Sequence, residues 1–310
     1  MDVLTDLIDT LRLRGVAYCR TELTAPWGIE LPASHIAHFH VVQEGSCWIQ
    51  LTGEATGLRL SAGDLVVIPH GRGHRLVDDP RNATVPLGDL VREHVGGTRP
   101  VIRHGGGGPP TAFVCGAFHV EDGGEHPLLR VLPSLIHVAS RESRTPPWLE
   151  STLQFLSDEL RHGGPGSETI VARLIDVIFV QTIRVWMEQA PAARGGWLAA
   201  LRDPLIGRAL GLMHRSPELP WTVSSLGAEL AMSRSAFAAR FTRLVGEPPI
   251  EHLFRWRMWV AADLLRRGDL AIADVAARAG YESELAFSKA FKRHVGVPPG
   301  AYRRQAHTAA

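Results

Sequence analysis

The chain has 310 residues, 45% of them apolar and 21% charged, the balance of a soluble globular protein long enough for two cores. Its net charge of +1 is unevenly shared: residues 200–310 hold 16 Lys and Arg against 10 Asp and Glu, a net +6, and the remainder carries −5. A basic C-terminal third points to a polyanion partner. Three widely separated cysteines, Cys19, Cys47 and Cys115, speak against a disulfide framework or a zinc ribbon.

The first fifteen residues, MDVLTDLIDTLRLRG, mix acids with apolar residues and lack a basic start and a long apolar block, so no signal peptide and a cytoplasmic protein are expected. From residue 14 to residue 120, short β-type runs such as FHVVQEG, CWIQLTGE, LVVIPHG and AFVCGAF alternate with glycine and proline. That spacing predicts an all-β barrel or sandwich. In HFHVVQEGSCW, residues 38–48, an unbroken strand would put His38, His40, Val42 and Glu44 on one face, three of them able to hold a metal. The same parity would turn Trp48 inward with His40. A loop is expected from about residue 78 to RHGGGGPP, residues 103–110. From Pro146 the apolar spacing becomes helical in WLESTLQFLSDELR and SETIVARLIDVIFVQTIRVWMEQ, with Ser167 and Glu168 suited to a helix start. The apolar run 169–186 contains Arg173, Asp176 and Arg184, too costly for a membrane span. APAARGG, residues 190–196, reads as a linker. The expected boundaries are therefore a β-rich region at 1–145, a helical segment packed on it at 146–190, a linker at 191–204 and a separate domain at 205–310.

The last segment contains a repeat. Residues 221–253 and 270–302 align with a period near 49, each with a short helix, a turn, a second helix carrying phenylalanines four apart, and a closing Val-Gly-Xaa-Pro-Pro. Ser233 and Ser283 are placed to cap the second helices. With Phe237 and Phe241, or Phe287 and Phe291, on the buried face, the opposite face presents Arg234, Ser235, Ala238 and Arg243 in one copy. In the other it presents Glu284, Leu285, Ser288, Lys289 and Lys292. This is the layout of a helix-turn-helix, in which the second helix enters the major groove. The intervening IEHLFRWRMWVAADLLRRG is long enough to hold two such units about one DNA turn, ~34 Å, apart.

On the stretches SRSAFAARFTRLVGEPPIEHLFRWRMWVAADLLRR and IADVAARAGYESELAFSKAFKRHVGVPPGAYRR, residues 205–305 resemble the DNA-binding domain of AraC/XylS-type transcription regulators. The resemblance implies two helix-turn-helix units joined by a linker helix, and sequence-specific binding to promoter DNA. It implies base contacts at Arg234, Ser235, Ala238 and Ala239, and at Leu285, Ala286 and Lys289. Several of these are alanines, which leaves direct readout by the first helix mainly to Arg234 and Ser235. Gly63, Pro69, Gly71 and His74 in GDLVVIPHGRGHRLVDD resemble the second cupin motif, with Asp78 where asparagine is usual. HFHVVQE satisfies the first motif by literal spacing. Together they would offer His38, His40, Glu44 and His74 to one zinc, iron, manganese or nickel ion. A register anchored on Gly45 leaves that set incomplete and puts Glu44 at an exposed turn; the effector pocket expected is lined by His38, His40, Trp48 and His74.

The fold class expected is multi-domain α+β: a cupin-like β-barrel followed by helices, then an all-α domain of two helix-turn-helix units. The function expected is a transcription regulator that senses a small molecule or metal, works as a homodimer on double-stranded promoter DNA without a membrane, and leaves contact with RNA polymerase open. It is not expected to be an enzyme. The rival is a metal-dependent cupin enzyme with an appended DNA-binding domain. A redox-responsive regulator would need a thiolate-prone cysteine, for which Arg20 beside Cys19 is the one pointer.

Overall fold

The computed structural model describes residues 4, 5, 8, 11, 13–93, 101–120, 126–140, 147–189, 196–268 and 270–308. It divides into two compact units, one of residues 11–124 with 132–189, the other of residues 1–10 and 125–131 with 190–310. Among the described residues no helix is long and apolar enough to cross a membrane.

The first unit is built on eleven described strands: β1 (Leu13–Thr24), β2 (Gly28–Leu31), β3 (Ala37–Glu44), β4 (Ser46–Leu51), β5 (Leu58–Ser61), β6 (Leu65–Ile68), β7 (His74–Val77), β8 (Val85–Pro86), β9 (Val101–Gly105), β10 (Pro110–Val120) and β11 (Ile136–Val138). They form a six-stranded sheet, β11-β6-β3-β10-β1-β9, and a five-stranded sheet, β5-β4-β7-β2-β8. This corrects the expected barrel. Among the described residues each sheet keeps two edges, since β9 pairs only with β1, β11 only with β6, β5 only with β4 and β8 only with β2, and no ladder there closes the cylinder. Alternating apolar residues of both sheets meet in one core, with Leu23, Val42 and Phe113 from one, Ile29, Ile49 and Leu76 from the other and Trp27 from the turn before β2. Trp27 and Phe113 meet edge to face, ring centroids 5.6 Å apart.

The loop expected after residue 78 instead contains β8, helix α1 (Leu87–Glu93) and β9. Short α2 (Pro127–Val131) belongs to the other unit, and the helical spacing after Pro146 is realised as α3 (Pro147–His162) and α4 (Ser167–Gln189). Helix α4 covers the outer face of the six-stranded sheet, where Phe118 stacks between Phe39 and Phe179 at 5.2 and 5.1 Å.

The second unit is helical: α5 (Gly196–Ala200), α6 (Pro204–Arg215), α7 (Val223–Glu229), α8 (Arg234–Val245), α9 (Pro249–Arg267), α10 (Ile272–Arg278), α11 (Glu284–Val295) and α12 (Pro299–Thr308). The expected linker at 191–204 is corrected where it is described. Residues 196–200 are helical, and Trp197, Leu198 and Ala200 are buried because they complete the core of this unit. Most of APAARGG lies outside the described residues.

The pairs α7–α8 and α10–α11 repeat one plan. Ser233 accepts from the Ala236 amide and Ser283 from the Ala286 amide at the starts of α8 and α11. Gly246 and Gly296 end those helices in the left-handed region. Phe237, Phe241, Phe287 and Phe291 are completely buried. Helix α9, about 28 Å long at 1.5 Å per residue, packs against α8, α10 and α11. The turns differ by one residue: Ala231-Met232-Ser233 in the first, Gly280-Tyr281-Glu282-Ser283 in the second. Corresponding positions open both turns in the left-handed region, Ala231 at φ 54° and Gly280 at φ 76°.

Alanine pays there for a Cβ that glycine lacks. Ala231→Gly is expected to raise stability by about 0.5–1 kcal/mol, read as a higher urea midpoint. Gly280→Ala is expected to lower it, since a Cβ would sit 2.7 Å from the Arg257 guanidinium and 2.9 Å from the Pro217 carbonyl oxygen. Midpoints shifted in the reverse order would show that the turns are not strained as described.

Candidate nucleic-acid interface and effector site

Burial of the phenylalanine pairs decides what α8 and α11 show to solvent. On α8, Arg234, Ser235, Ala239 and Arg243 are exposed and Ala238 is half-buried. On α11, Glu284, Leu285, Ala286, Lys289 and Lys292 are exposed and Ser288 is half-buried. Leu285, 66% exposed, is the most open of the large apolar side chains among the described residues. Each face thus combines cations, one or two hydrogen-bonding groups and small or apolar contacts at the N-terminal turns of a capped helix.

Arg240 has a different task. Its guanidinium donates to the Asp203 carboxylate at 2.6 Å, while the same carboxylate caps α6 by accepting from the amides of Leu205 and Ile206. Burial pushes the Asp203 carboxyl up, but Arg240 and the two amides outweigh it and hold it below the usual range. The ion pair ties α8 to α6 and so fixes the angle at which α8 presents Arg234. Behind α8, the buried His214 and His252 meet at 2.9 Å between ring nitrogens, and His252 Nδ1 lies 2.8 Å from Glu247 Oε1. The carboxylate accepts from His252, which leaves His252 Nε2 to accept from His214 Nε2–H. Sequence reading gave no sign of this pair, whose members lie 38 residues apart on α6 and α9.

In the first unit a second imidazole pair spans the two sheets. His40 on β3 and His74 on β7 are buried, their Nε2 atoms 2.8 Å apart. His74 Nδ1 lies 2.9 Å from the Arg72 carbonyl oxygen, which can only accept. His74 Nε2 is therefore the acceptor of the pair, His40 Nε2–H the donor, and His40 Nδ1 is left to accept from the Cys115 thiol at 3.0 Å. Half-buried His38 bonds the Ser34 hydroxyl at 3.0 Å instead, with its ring 5.6 Å from that of His74.

This arrangement corrects two site expectations. Glu44 does not join the histidines. In the ladder with β10, Val42 faces Phe113 but Glu44 faces Ala112, so Gln43 is an inserted residue, and the bulge turns Glu44 to the exposed face. Trp48 does not line the interior either. The chain passes through Gly45 at φ 76° into the other sheet, where Cys47, Ile49 and Leu51 point inward and Trp48 outward. His40 and His74 are bonded to each other at 2.8 Å, closer than the ~3.3 Å between two nitrogen ligands of one tetrahedral metal. Among the described residues no three His, Cys, Asp or Glu side chains converge as metal donors. The set His38, His40, Glu44 and His74 does not fit a zinc, iron, manganese or nickel ion. The motif residues carry structure instead: a Cβ at Gly71 would meet the Ser34 and Ile36 carbonyl oxygens at 2.4 and 2.5 Å, and Asp78 Oδ1 accepts from the Trp27 amide at 2.7 Å.

Residues 2–188 match the family described as "Cupin", and residues 226–305 match one described as "Helix-turn-helix domain". The chain is 34% identical over 306 residues, 98% of each chain, to a Streptomyces lividans protein named "Putative AraC-like transcription regulator". It is 33% identical over 307 residues, 98% of this chain and 100% of the other, to "HTH-type transcriptional regulator AlkR" of Acinetobacter baylyi. Among solved structures, the DNA-binding domain of AdpA in complex with a target DNA is 33% identical and aligns over 34% of this chain and 96% of its own, with a TM-score of 0.33.

The buried imidazoles set a pH dependence. Burial, then the neighbouring His74 and His38, hold His40 well below the ordinary value, and burial takes His74 down to about 4. In the other unit, burial takes His252 to about 4 as well. An unfolded histidine takes up its proton near 6.5 and folded His74 and His252 do not until about 4, so the stabilisation these two carry is complete above pH 6.5 and is lost as pH falls toward 4. By pH ~5 each is expected to cost roughly 2 kcal/mol of stability. The urea midpoint should fall between pH ~7.5 and ~5, and fall less in His74→Gln. An unchanged midpoint would show that the imidazoles titrate freely.

Proposed function

From the premise that the chain belongs to the AraC-like transcription regulators, and its N-terminal region to the cupin family, we propose that it binds promoter DNA through two helix-turn-helix units, α7–α8 and α10–α11, held apart by α9. The observation that carries this reading is the repeated pair of serine-capped helices whose buried phenylalanines leave one basic and apolar face of each open. At the N-terminal turns of α8 and α11 the free amides and the helix dipole favour nearby phosphate. Arg234 supplies a fork for guanine, and Ser235 and Ser288 supply hydroxyls. Glu284 supplies an acceptor for a cytosine amine, and Ala238, Ala239, Leu285 and Ala286 supply apolar contacts for thymine methyls. Arg243, Lys289 and Lys292 hold the backbone. The ~28 Å of α9 suits two successive major-groove visits about 34 Å apart.

The cupin-family unit is the sensor in this reading. A cleft of ≈ 660 Å³ borders His74 along β2, β4 and β7, with Glu30, Gln50 and Arg75 on its wall. Its charged and amide side chains, with apolar Leu31 and Leu51 beside them, suit a small polar molecule. Such an effector acts only by favouring one arrangement of the regulator over another. An enzyme of the cupin type would need an open coordination position on a metal, and the donors do not converge on one. Self-association is assigned to α3 and α4, which leave Phe155, Ile170 and Val177 exposed at 57%, 39% and 42%.

Selection of binding sites from random duplexes, followed by gel-shift titration at physiological salt, tests the DNA reading. Arg234→Ala is expected to cost about 1–3 kcal/mol on the preferred site and relax the preference at one position. Lys292→Ala should weaken all sequences evenly and lower the salt slope by about 1. Absence of any sequence preference in the parent protein would refute the proposal. For the assembly, Val177→Glu is expected to shift a sedimenting dimer toward monomer, and a monomeric parent protein would rule the assignment out.

A further inference from the structure

Strands β1 and β10 run antiparallel inside the six-stranded sheet, and their register sets Cys19 directly opposite Cys115. Opposed residues of an antiparallel pair have Cα atoms about 4.5–5.5 Å apart and side chains on the same face. That lies inside the ~4.4–6.8 Å that a disulfide spans. Both are free thiols and only partly buried, Cys19 beside the Thr21 hydroxyl at 3.8 Å and Cys115 beside His40 Nδ1 at 3.0 Å. Cys47 differs on each count. It is 1% exposed within the core, and burial, with a smaller effect from Asp64, pushes its thiol up to about 12. We propose that Cys19 and Cys115 form a reversible intramolecular disulfide on exposure to a small hydroperoxide, making the cupin-family unit a thiol oxidation site in addition to a candidate effector site.

The two sulfurs have unlike roles. The neighbouring Cys115 side chain holds the Cys19 thiol below its usual range against the effect of burial, with the Thr21 hydroxyl 3.8 Å away adding to it. The same contact, then burial, pushes the Cys115 thiol well up. Cys115 gives its S–H to His40 Nδ1, which leaves Cys19, beside the Thr21 hydroxyl, as the thiolate that attacks the peroxide and Cys115 as the resolving thiol. In the first step the Cys19 sulfur bonds the distal peroxide oxygen, the O–O bond breaks, and the alkoxide leaves with a proton as alcohol, giving a sulfenic acid. In the second step the Cys115 sulfur displaces the hydroxyl, which leaves as water with the Cys115 proton. Two thiols and one hydroperoxide thus give one disulfide, one alcohol and one water; each sulfur loses one electron and the peroxide gains two. The bond also removes the S–H that His40 Nδ1 accepts, so the oxidation state of the pair reaches the His40–His74 bridge between the sheets.

The test uses the full chain, reduced, freed of reductant, treated with hydrogen peroxide, then unfolded in an alkylating agent and weighed intact. A monomeric species two hydrogens lighter, with Cys47 alone alkylated, the Cys19–Cys115 bond found by peptide mapping and full reversal by dithiothreitol, is the expected result. Cys47→Ser should still form the bond, and Cys19→Ser and Cys115→Ser should not. Three alkylatable thiols after treatment, a bond to Cys47, or a bond found only between chains would overturn the proposal. Mapping of the parent protein decides even where a variant folds poorly. The readout is independent of DNA, so a protein that forms the bond but has no sequence preference would refute the regulator reading alone.

Discussion

Two pairs of phenylalanines, each one helical turn apart, govern what the helical unit presents. Phe237 with Phe241 and Phe287 with Phe291 have no exposure at all, and burying each ring is worth roughly 1.5–3 kcal/mol. Rotating α8 or α11 about its axis would forfeit that burial, so the orientation of the opposite face follows from the core. Serine caps fix where the two helices begin, and left-handed glycines fix where they end. The Arg240–Asp203 ion pair and the His214–His252–Glu247 relay then tie the first pair to α6 and α9. Specificity in this unit is a consequence of packing before it is a matter of any base contact.

The sheet unit is governed differently. Its two sheets share an apolar core, and the one polar link described across it is the His40–His74 hydrogen bond, satisfied at one end by a backbone carbonyl and at the other by a thiol. A chain of donors and acceptors in which each member has a partner can be buried at little cost, whereas a single unpartnered imidazole would cost about 1–3 kcal/mol. Cys115 is the last member of that chain, and Cys19 faces it across the β1–β10 ladder.

Much of this was legible in the sequence, for reasons that are local. Amphipathic spacing marked α3, α4 and the repeated helices, and serine before an apolar run marked the caps at 233 and 283. What failed depended on pairings between distant segments. Glu44 was placed with the histidines by counting in twos, and the bulge at Gln43 breaks the count. Trp48 was counted inward across Gly45, where the chain changes sheets and parity starts anew. The barrel was inferred from many short strands, but closure depends on which edges meet, and strand spacing carries no such information. Cys19 and Cys115 looked unrelated because 96 residues separate them, and only the register of β1 on β10 makes them neighbours. The helix at 196–200 was masked by glycine and alanine in a stretch whose order comes from burial of Trp197 and Leu198.

The extra residue in the second turn, Glu282, has a consequence beyond geometry. The two copies of the repeat are not interchangeable: one ends its turn Met-Ser and continues with arginine and serine, the other ends Glu-Ser and continues with glutamate and leucine. A symmetric dimer reading a palindrome has no front or back. In the reading proposed above, a single chain carrying two unlike reading heads in fixed order gives its site a polarity, so that the site read backwards is a different site. Direction along the double helix is thereby written into one polypeptide, before any partner arrives to impose it.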